Sequence, residues 1–189
     1  MARLVAERAD VIPLLGEVFR RFGYEGASVA RITEYTKLGK GSLYHFFPKG
    51  KDEMASVVLE DIRAWFEKNI FMPLEGHEPE AAIADMFIAV ESYFKSGRRV
   101  CLVGAFALEE TRDRFAMEVK HYFSRWLSAL STALESSGLD AAQARQRAKT
   151  IVAGIQGAII LARALDDEKV FLDALDHLKG LAAFAESSR

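Results

Sequence analysis

The stretch Gly39-Lys40-Gly41-Ser42-Leu43-Tyr44-His45-Phe46-Phe47 gathers the side chains of this sequence best suited to touch another molecule. Lys40 and His45 offer cationic or protonatable nitrogens, and Ser42 and Tyr44 offer hydroxyls. Gly39, Gly41 and Ser42 are small enough to let the backbone approach a partner closely. Groups of this kind meet phosphate oxygens and the acceptor edges of bases. Leu43, Phe46 and Phe47 fall at i, i+3 and i+4, so a helix here buries one face and turns the polar set outward. The expected chemistry is non-covalent contact with a nucleic-acid duplex.

Such a face has to be held by neighbouring elements. Ser28 is suited to cap a short preceding helix in which Val29, Ile32 and Thr33 keep helical spacing. Thr36-Lys37-Leu38-Gly39 has about the length of the turn in a helix-turn-helix unit. A first helix is expected to open at Asp10, keep Pro13 within its opening turn where the missing N–H is harmless, and close at Gly23. After Pro48-Lys49-Gly50, a long helix carries Met54, Val58, Ile62, Trp65 and Phe66 on one face. Pro73 to Pro79 reads as a connector. Ile83, Met86, Phe87, Val90 and Phe94 mark the next helix, ended by Ser96-Gly97, and an apolar segment follows from Cys101 to Glu110. Phe115, Val119, Tyr122, Trp126 and Leu130 stripe a further helix that stops at Ser136-Ser137-Gly138. Asp140 with Gln143 forms a capping-box pattern for an eighth helix with Ala148, Ile151, Val152, Ile155, Ile159 and Ala162 at core spacing. A ninth runs from Asp166-Asp167 to near Glu186. The expectation is an all-α fold of about nine helices, with a three-helix head over residues 1–51 and a larger bundle over residues 52–189.

Composition agrees with this division. The 189 residues suffice for one ordinary domain plus a small one. No run reaches the roughly 18 to 20 uninterrupted apolar residues of a membrane span. Met1 to Glu7 does not resemble a signal peptide, and the single cysteine, Cys101, excludes an intramolecular disulfide. A cytoplasmic location with no membrane partner is therefore expected. Net charge is only −2, yet residues 1–51 hold nine Lys or Arg against five Asp or Glu, while residues 52–189 hold sixteen against twenty-two. A basic head on an acidic body is the distribution expected when only the head meets phosphate. Enzyme chemistry has little support: there is no G-x-x-x-x-G-K-[ST] loop, H-E-x-x-H pair or G-x-S-x-G elbow. His45, His77, His121 and His177 lack metal-ligand spacing, so neither a metal nor a cofactor is expected.

The block from about Asp10 to Met54 resembles the N-terminal domain of TetR-type transcriptional regulators. The resemblance rests on Phe19-x-x-Phe22-Gly23-Tyr24-x-Gly26-x-Ser28-Val29 and on Leu38 to Phe47, which follow that family's signature nearly position for position. Val100 to Glu109 also looks like a marker of one branch of the family. The resemblance implies a helix-turn-helix DNA-binding domain followed by a bundle for ligand binding and dimerisation. It implies a repressor that holds a palindromic operator as a homodimer and is released by a small-molecule effector. Carried across, Ser28 caps the second helix beside the DNA backbone. Gly39, Lys40, Gly41, Ser42, Tyr44 and His45 face the duplex, with Lys40 donating to guanine O6 and N7. Tyr44, His45, Lys49, Lys51 and Arg31 suit phosphates. The chain departs from the family at Lys37, where the turn usually has glycine, and at Gly39, where Ser or Thr often caps the recognition helix. A left-handed Lys37 would be strained by about 1 kcal/mol.

In the resembled family the last two long helices form the dimer and a ligand cavity lies among the middle ones. Gly154, Gly157, Ala158 and Leu161, with Phe171, Leu175 and Leu178, are the expected dimer contacts. Trp65, Phe87, Phe106, Tyr122 and Trp126 are the expected cavity walls, with Glu109, His121 and Gln156 as polar anchors for an effector of unknown identity. Two other readings fit the same sequence. One is a helical adaptor that binds only protein. The other is a thiol sensor built on Cys101, whose pKa Arg98 and Arg99 would lower.

Overall fold

The computed structural model describes residues 7–108 and 111–182. Every regular element among the described residues is helical. In order they are α1 (Arg8–Gly26), α2 (Val29–Thr36), α3 (Lys40–Phe46) and α4 (Lys51–Phe66). A π-helical turn (Glu67–Phe71) then runs into the single turn α5 (Met72–Leu74). After it come α6 (Pro79–Phe94), α7 (Leu102–Leu108), α8 (Thr111–Arg114), α9 (Ala116–Ser136), α10 (Ala141–Leu165) and α11 (Glu168–Ala182). Glu109 and the expected helix end near Glu186 lie outside the described residues.

Several ends differ from the sequence expectation for local reasons. Helix α1 opens at Arg8, because the Asp10 carboxylate accepts the Glu7 backbone N–H at 3.1 Å from inside the first turn. Pro13 therefore stands beyond the opening turn, in the helix interior. Gly23 takes φ 66 and ψ 177, a backbone open only to glycine, and the kink turns the next residue, Tyr24, into the core. The expected connector from Pro73 shortens, since the π-helical turn carries the helix on through Leu74. Asp140 caps α10 as expected, accepting from the N–H groups of Ala142 and Gln143 at 2.9 Å each.

The chain divides into two compact units, and the division falls within α4 and α9. The first unit comprises Met1–Ala64 and Leu102–Val119. Its core is Val11, Leu15, Val18, Phe19, Ile32, Leu43, Phe47, Met54 and Val58, all but closed to solvent. Helix α7 lies along α1, where Phe106 meets Phe19 and Tyr24 at 6.2 and 6.1 Å between ring centres. The second unit comprises Trp65–Cys101 and Lys120–Arg189. Its most extensive packing is α10 on α11, with Ile151, Ile155, Phe171 and Leu175 buried between or beside them. Each such side chain stabilises its unit by about 1.5–3 kcal/mol. Helix α10 is long and apolar enough by composition to cross a bilayer, but such a helix is also what a bundle core contains, and this one packs on α11.

Candidate nucleic-acid interface

The recognition face begins with the cap of α2. Ser28 is extended, and its hydroxyl oxygen accepts the Arg31 N–H at 3.3 Å. At the other end, the Thr36 hydroxyl donates to the Ile32 carbonyl at 2.7 Å. Lys37 then enters the left-handed region at φ 60, ψ 16, with its N–H donating to the Thr33 carbonyl at 3.0 Å. The left-handed position where a glycine was expected is thus taken by a lysine. Gly39 caps α3 through backbone geometry alone, with no side-chain bond.

Helix α3 is held from beneath by Leu43 and by Phe47 just past its end, both fully buried, and Phe46 is half-buried. Arg8 fastens its far end, donating from Nε to the Phe46 carbonyl at 3.1 Å and from Nη2 to Glu53 of α4 at 3.3 Å. With that face down, Gly39, Lys40, Gly41, Ser42, Tyr44 and His45 are all exposed. A methyl group at Gly39 or Gly41 would meet no atom within 4 Å, so the surface above them is open. Lys40 Nζ lies 6.0 Å from the Tyr44 ring centre, one helical turn apart on that surface. Lys49 is exposed beyond the helix, and its backbone N–H donates to Glu53 at 2.9 Å.

Two expected phosphate contacts have other partners. The Lys51 ammonium turns inward, 4.1 Å above the Tyr24 ring, where it donates to the Tyr24 carbonyl at 3.0 Å and pairs with Glu25 at 3.6 Å. A half-buried ammonium engaged in this way positions the domain before it reaches any phosphate. The Arg31 guanidinium donates to the Gly26 carbonyl at 2.7 Å and lies over the Phe22 ring, although the residue stays exposed.

Tyr24 is the residue the sequence reading passed over. It is 1% exposed, stacked on Phe19 and edge-on to Phe106 and Phe115. Its hydroxyl donates to the Asp52 carboxylate at the start of α4. Arg114 Nη1, from α8, donates both to the Tyr24 hydroxyl at 2.7 Å and to Asp52 at 2.9 Å. Burial first, and the bond to Asp52 second, push the Tyr24 hydroxyl up to about 12. The Tyr24 hydroxyl and then Arg114 hold the Asp52 carboxyl below the ordinary carboxylate range. The Gly23 break marks Tyr24 locally, but Arg114 is 90 residues further along and no local pattern connects the two.

In the second unit Trp65, Tyr122 and Trp126 join one aromatic cluster. Trp65 meets Tyr93 at 4.5 Å, and Phe66 meets Tyr122 at 4.9 Å and Trp126 at 5.4 Å. The π-helical turn supplies Phe71, and Arg125 lies over its ring while paired to Glu75 at 2.6 Å and Glu67 at 2.7 Å. These pairs, Glu75 foremost, raise the Arg125 pKa further. Among the described residues, the indole N–H of Trp126 and the amide nitrogen of Gln156 are buried without a hydrogen-bond partner. The other expected cavity residues sit elsewhere. Phe106 belongs to the first unit, against Tyr24. Phe87 lines a separate groove of about 570 Å³ with Ile83, Ile88 and Lys179. His121 is exposed on α9, and Cys101 is buried.

The expected dimer residues also separate. Ala158, Phe171, Leu175 and Leu178 are at most 5% exposed within the single chain, so they have little surface to offer a partner. They, and Gly154 against Leu178, serve the packing of α10 on α11. Gly157 is open to space and Leu161 is 53% exposed. Ala153, Ile160 and Ala164, absent from the sequence prediction, are exposed on the same face, Ile160 at 58%.

Comparison with known proteins agrees with this geometry. Residues 17–58 match the family of bacterial regulatory proteins described as the tetR family. Residues 79–177 match the C-terminal domain of LmrA/YxaF-like transcriptional regulators. The chain is 23% identical over 159 residues to the HTH-type transcriptional regulator LmrA of Bacillus subtilis, covering 82% of this chain and 85% of that one. It is 27% identical over 173 residues to the HTH-type regulator YxaF of the same organism, covering 87% and 89%. The fold is shared with a TetR transcriptional regulator from Legionella pneumophila, with a TM-score of 0.81 at 18% identity over 94% of this chain and 98% of that one.

Proposed function

Because this chain belongs to the TetR family of transcriptional regulators, a DNA-binding regulator and not an enzyme, we propose that it is a cytoplasmic repressor that holds a palindromic operator as a homodimer and releases it to a small-molecule effector. The observation that carries the reading is the outward face of α3. Lys40, Ser42, Tyr44 and His45 stand exposed on a helix whose opposite face is buried through Leu43 and Phe47. In this reading Lys40 reads guanine, and Ser28, Ser42, Tyr44, His45 and Lys49 grip phosphates. Arg31 joins them by releasing its exposed bond to Gly26.

Two copies would place their α3 helices in successive major grooves about 34–36 Å apart. The exposed stripe Ala153, Gly157, Ile160, Leu161 and Ala164 on α10 supports that pairing, since its 3- and 4-residue spacing makes one apolar face with small residues for close helix approach. We assign the effector to the aromatic cluster around Trp126, which Trp65 and Tyr122 share and the π-helical turn borders, and take the buried Gln156 amide as a further polar anchor. Residues 1–51 then form the DNA-binding part and residues 52–189 the ligand-binding and dimerisation part. Release requires the effector to prefer the form that does not bind DNA, typically by about 1–3 kcal/mol of coupling.

The pairing is tested by sedimentation. The wild-type chain should sediment at twice its 21.0 kDa mass, and the double variant Ile160→Asp, Leu161→Asp as a folded monomer with weakened operator binding. A variant that remains dimeric would remove α10 from the interface.

A further inference from the structure

We propose that Arg114 is a positioning residue for DNA recognition, bridging Tyr24 and Asp52 so that the bridge and the DNA-bound arrangement of α2 and α3 favour one another. The inference rests on the DNA-reading role of α3 and adds a control point outside it.

Tyr24 lies in the last turn of α1, four residues before the Ser28 cap of α2, and Asp52 is the second residue of α4. The recognition unit therefore hangs in sequence between Tyr24 and Asp52. One atom, Arg114 Nη1, reaches both, at 2.7 and 2.9 Å. The Arg114 guanidinium carbon also lies 5.1 Å from the Tyr24 ring centre, so that Lys51 and Arg114 both pack on this one aromatic ring. Tyr24 stays protonated and Asp52 ionised at neutral pH, which fixes the direction of the hydrogen bonds.

Exposure decides between a static brace and a movable contact. The Arg114 and Asp52 side chains are 50% and 58% exposed, and ion pairs so placed add little to global stability. The fold of the unit is carried by Phe106, Phe115 and Phe19 below. A contact that holds the frame of the recognition helix while contributing little to the fold can be made and broken at small cost. Arg114 also stands two residues before α9, the helix that later carries Tyr122 and Trp126, so the chain itself leads from the aromatic cluster to the bridge.

Coupling is reciprocal: if the bridge favours DNA binding, DNA must favour the bridge. The test is amide hydrogen exchange over Arg112 to Phe115, with and without a saturating duplex enriched from a random pool. In the wild type the duplex should slow exchange there by about fivefold or more, the lower end of typical coupling. In Arg114→Gln that protection should vanish, with duplex affinity down about five- to tenfold and an unchanged dependence on salt. Arg114→Lys, which keeps the charge, should recover part of both. A brace formed equally in free and bound protein would lower the melting temperature of Arg114→Gln but give the wild type no duplex-induced protection, and that result overturns the proposal. So does a salt slope reduced by about one per chain, which would make Arg114 a phosphate contact. Should Arg114→Gln fail to fold, Tyr24→Phe reads the same loss of protection. A wild-type chain that binds no duplex refutes the DNA-reading role itself, a failure distinct from loss of the bridge.

Discussion

Replacing Lys37 by glycine should stabilise the protein, against the usual cost of adding glycine. Lys37 sits at φ 60, ψ 16 between α2 and α3. A non-glycine residue there carries about 1–2 kcal/mol of left-handed strain. Glycine removes that strain but gives the unfolded chain more freedom, at a cost of about 0.5–1 kcal/mol. At the midpoints of the two ranges the difference leaves a net gain of about 0.75 kcal/mol. The bond to Thr33 at 3.0 Å survives, because it uses only the backbone, and the side chain is exposed. For a chain of this size each kcal/mol moves the thermal midpoint by about 2–4 °C, so a rise of about 1–4 °C is expected. Urea unfolding should show a higher midpoint with an unchanged slope. Lys37→Ala is the control, since alanine keeps the strain and should gain nothing. A Lys37→Gly protein less stable than wild type, or an alanine variant that gains as much, would refute the strain argument.

Tyr24 gives an alkaline signature: in a spectrophotometric titration one of the five tyrosines should ionise at about 12, and Tyr24→Phe should lack that step. Its folded pKa lies above the unfolded value near 10, so its stabilising contribution is complete below about pH 10 and is lost as pH rises toward 12. Wild type and Tyr24→Phe losing stability in parallel over that range would contradict this. Gly97→Ala should cost about 2–4 kcal/mol, because φ is +89 and the new methyl would lie 2.8 Å from Phe171 Cβ and 2.9 Å from Ala162 Cβ. A melting temperature equal to wild type would show that α10 and α11 can part there. Lys40→Ala should weaken binding to the preferred duplex by about 1–3 kcal/mol and relax selectivity at one base position. An equal loss on every sequence would reassign Lys40 to phosphate.

The recognition helix was legible because everything that defines it is local. Leu43 and Phe47 fix the buried face, and the outward set follows from helical periodicity alone. Lys37 was legible only through the family resemblance, which sets a turn glycine at its position. What sequence could not tell was which partner covers an apolar or charged face. Phe171, Leu175 and Leu178 carry a stripe equally suited to a second chain and to α10 of the same chain, and the structure gives it to α10. Phe106 has the size and periodicity of a cavity wall but packs on Tyr24. Lys51 carries the charge a phosphate needs but finds the Tyr24 carbonyl first. Each depends on a neighbour distant in sequence, and periodicity holds no information about distant neighbours.

The central claim is that two copies of the α3 face read one duplex. Its most direct test is selection of bound duplexes from a random pool, followed by titration of the winner at two salt concentrations. One enriched palindrome is expected, with half-sites about 34–36 Å apart, two chains per duplex, and affinity that falls steeply with salt. A folded protein that enriches no duplex even at low salt would contradict it, and would favour a helical adaptor that binds only protein.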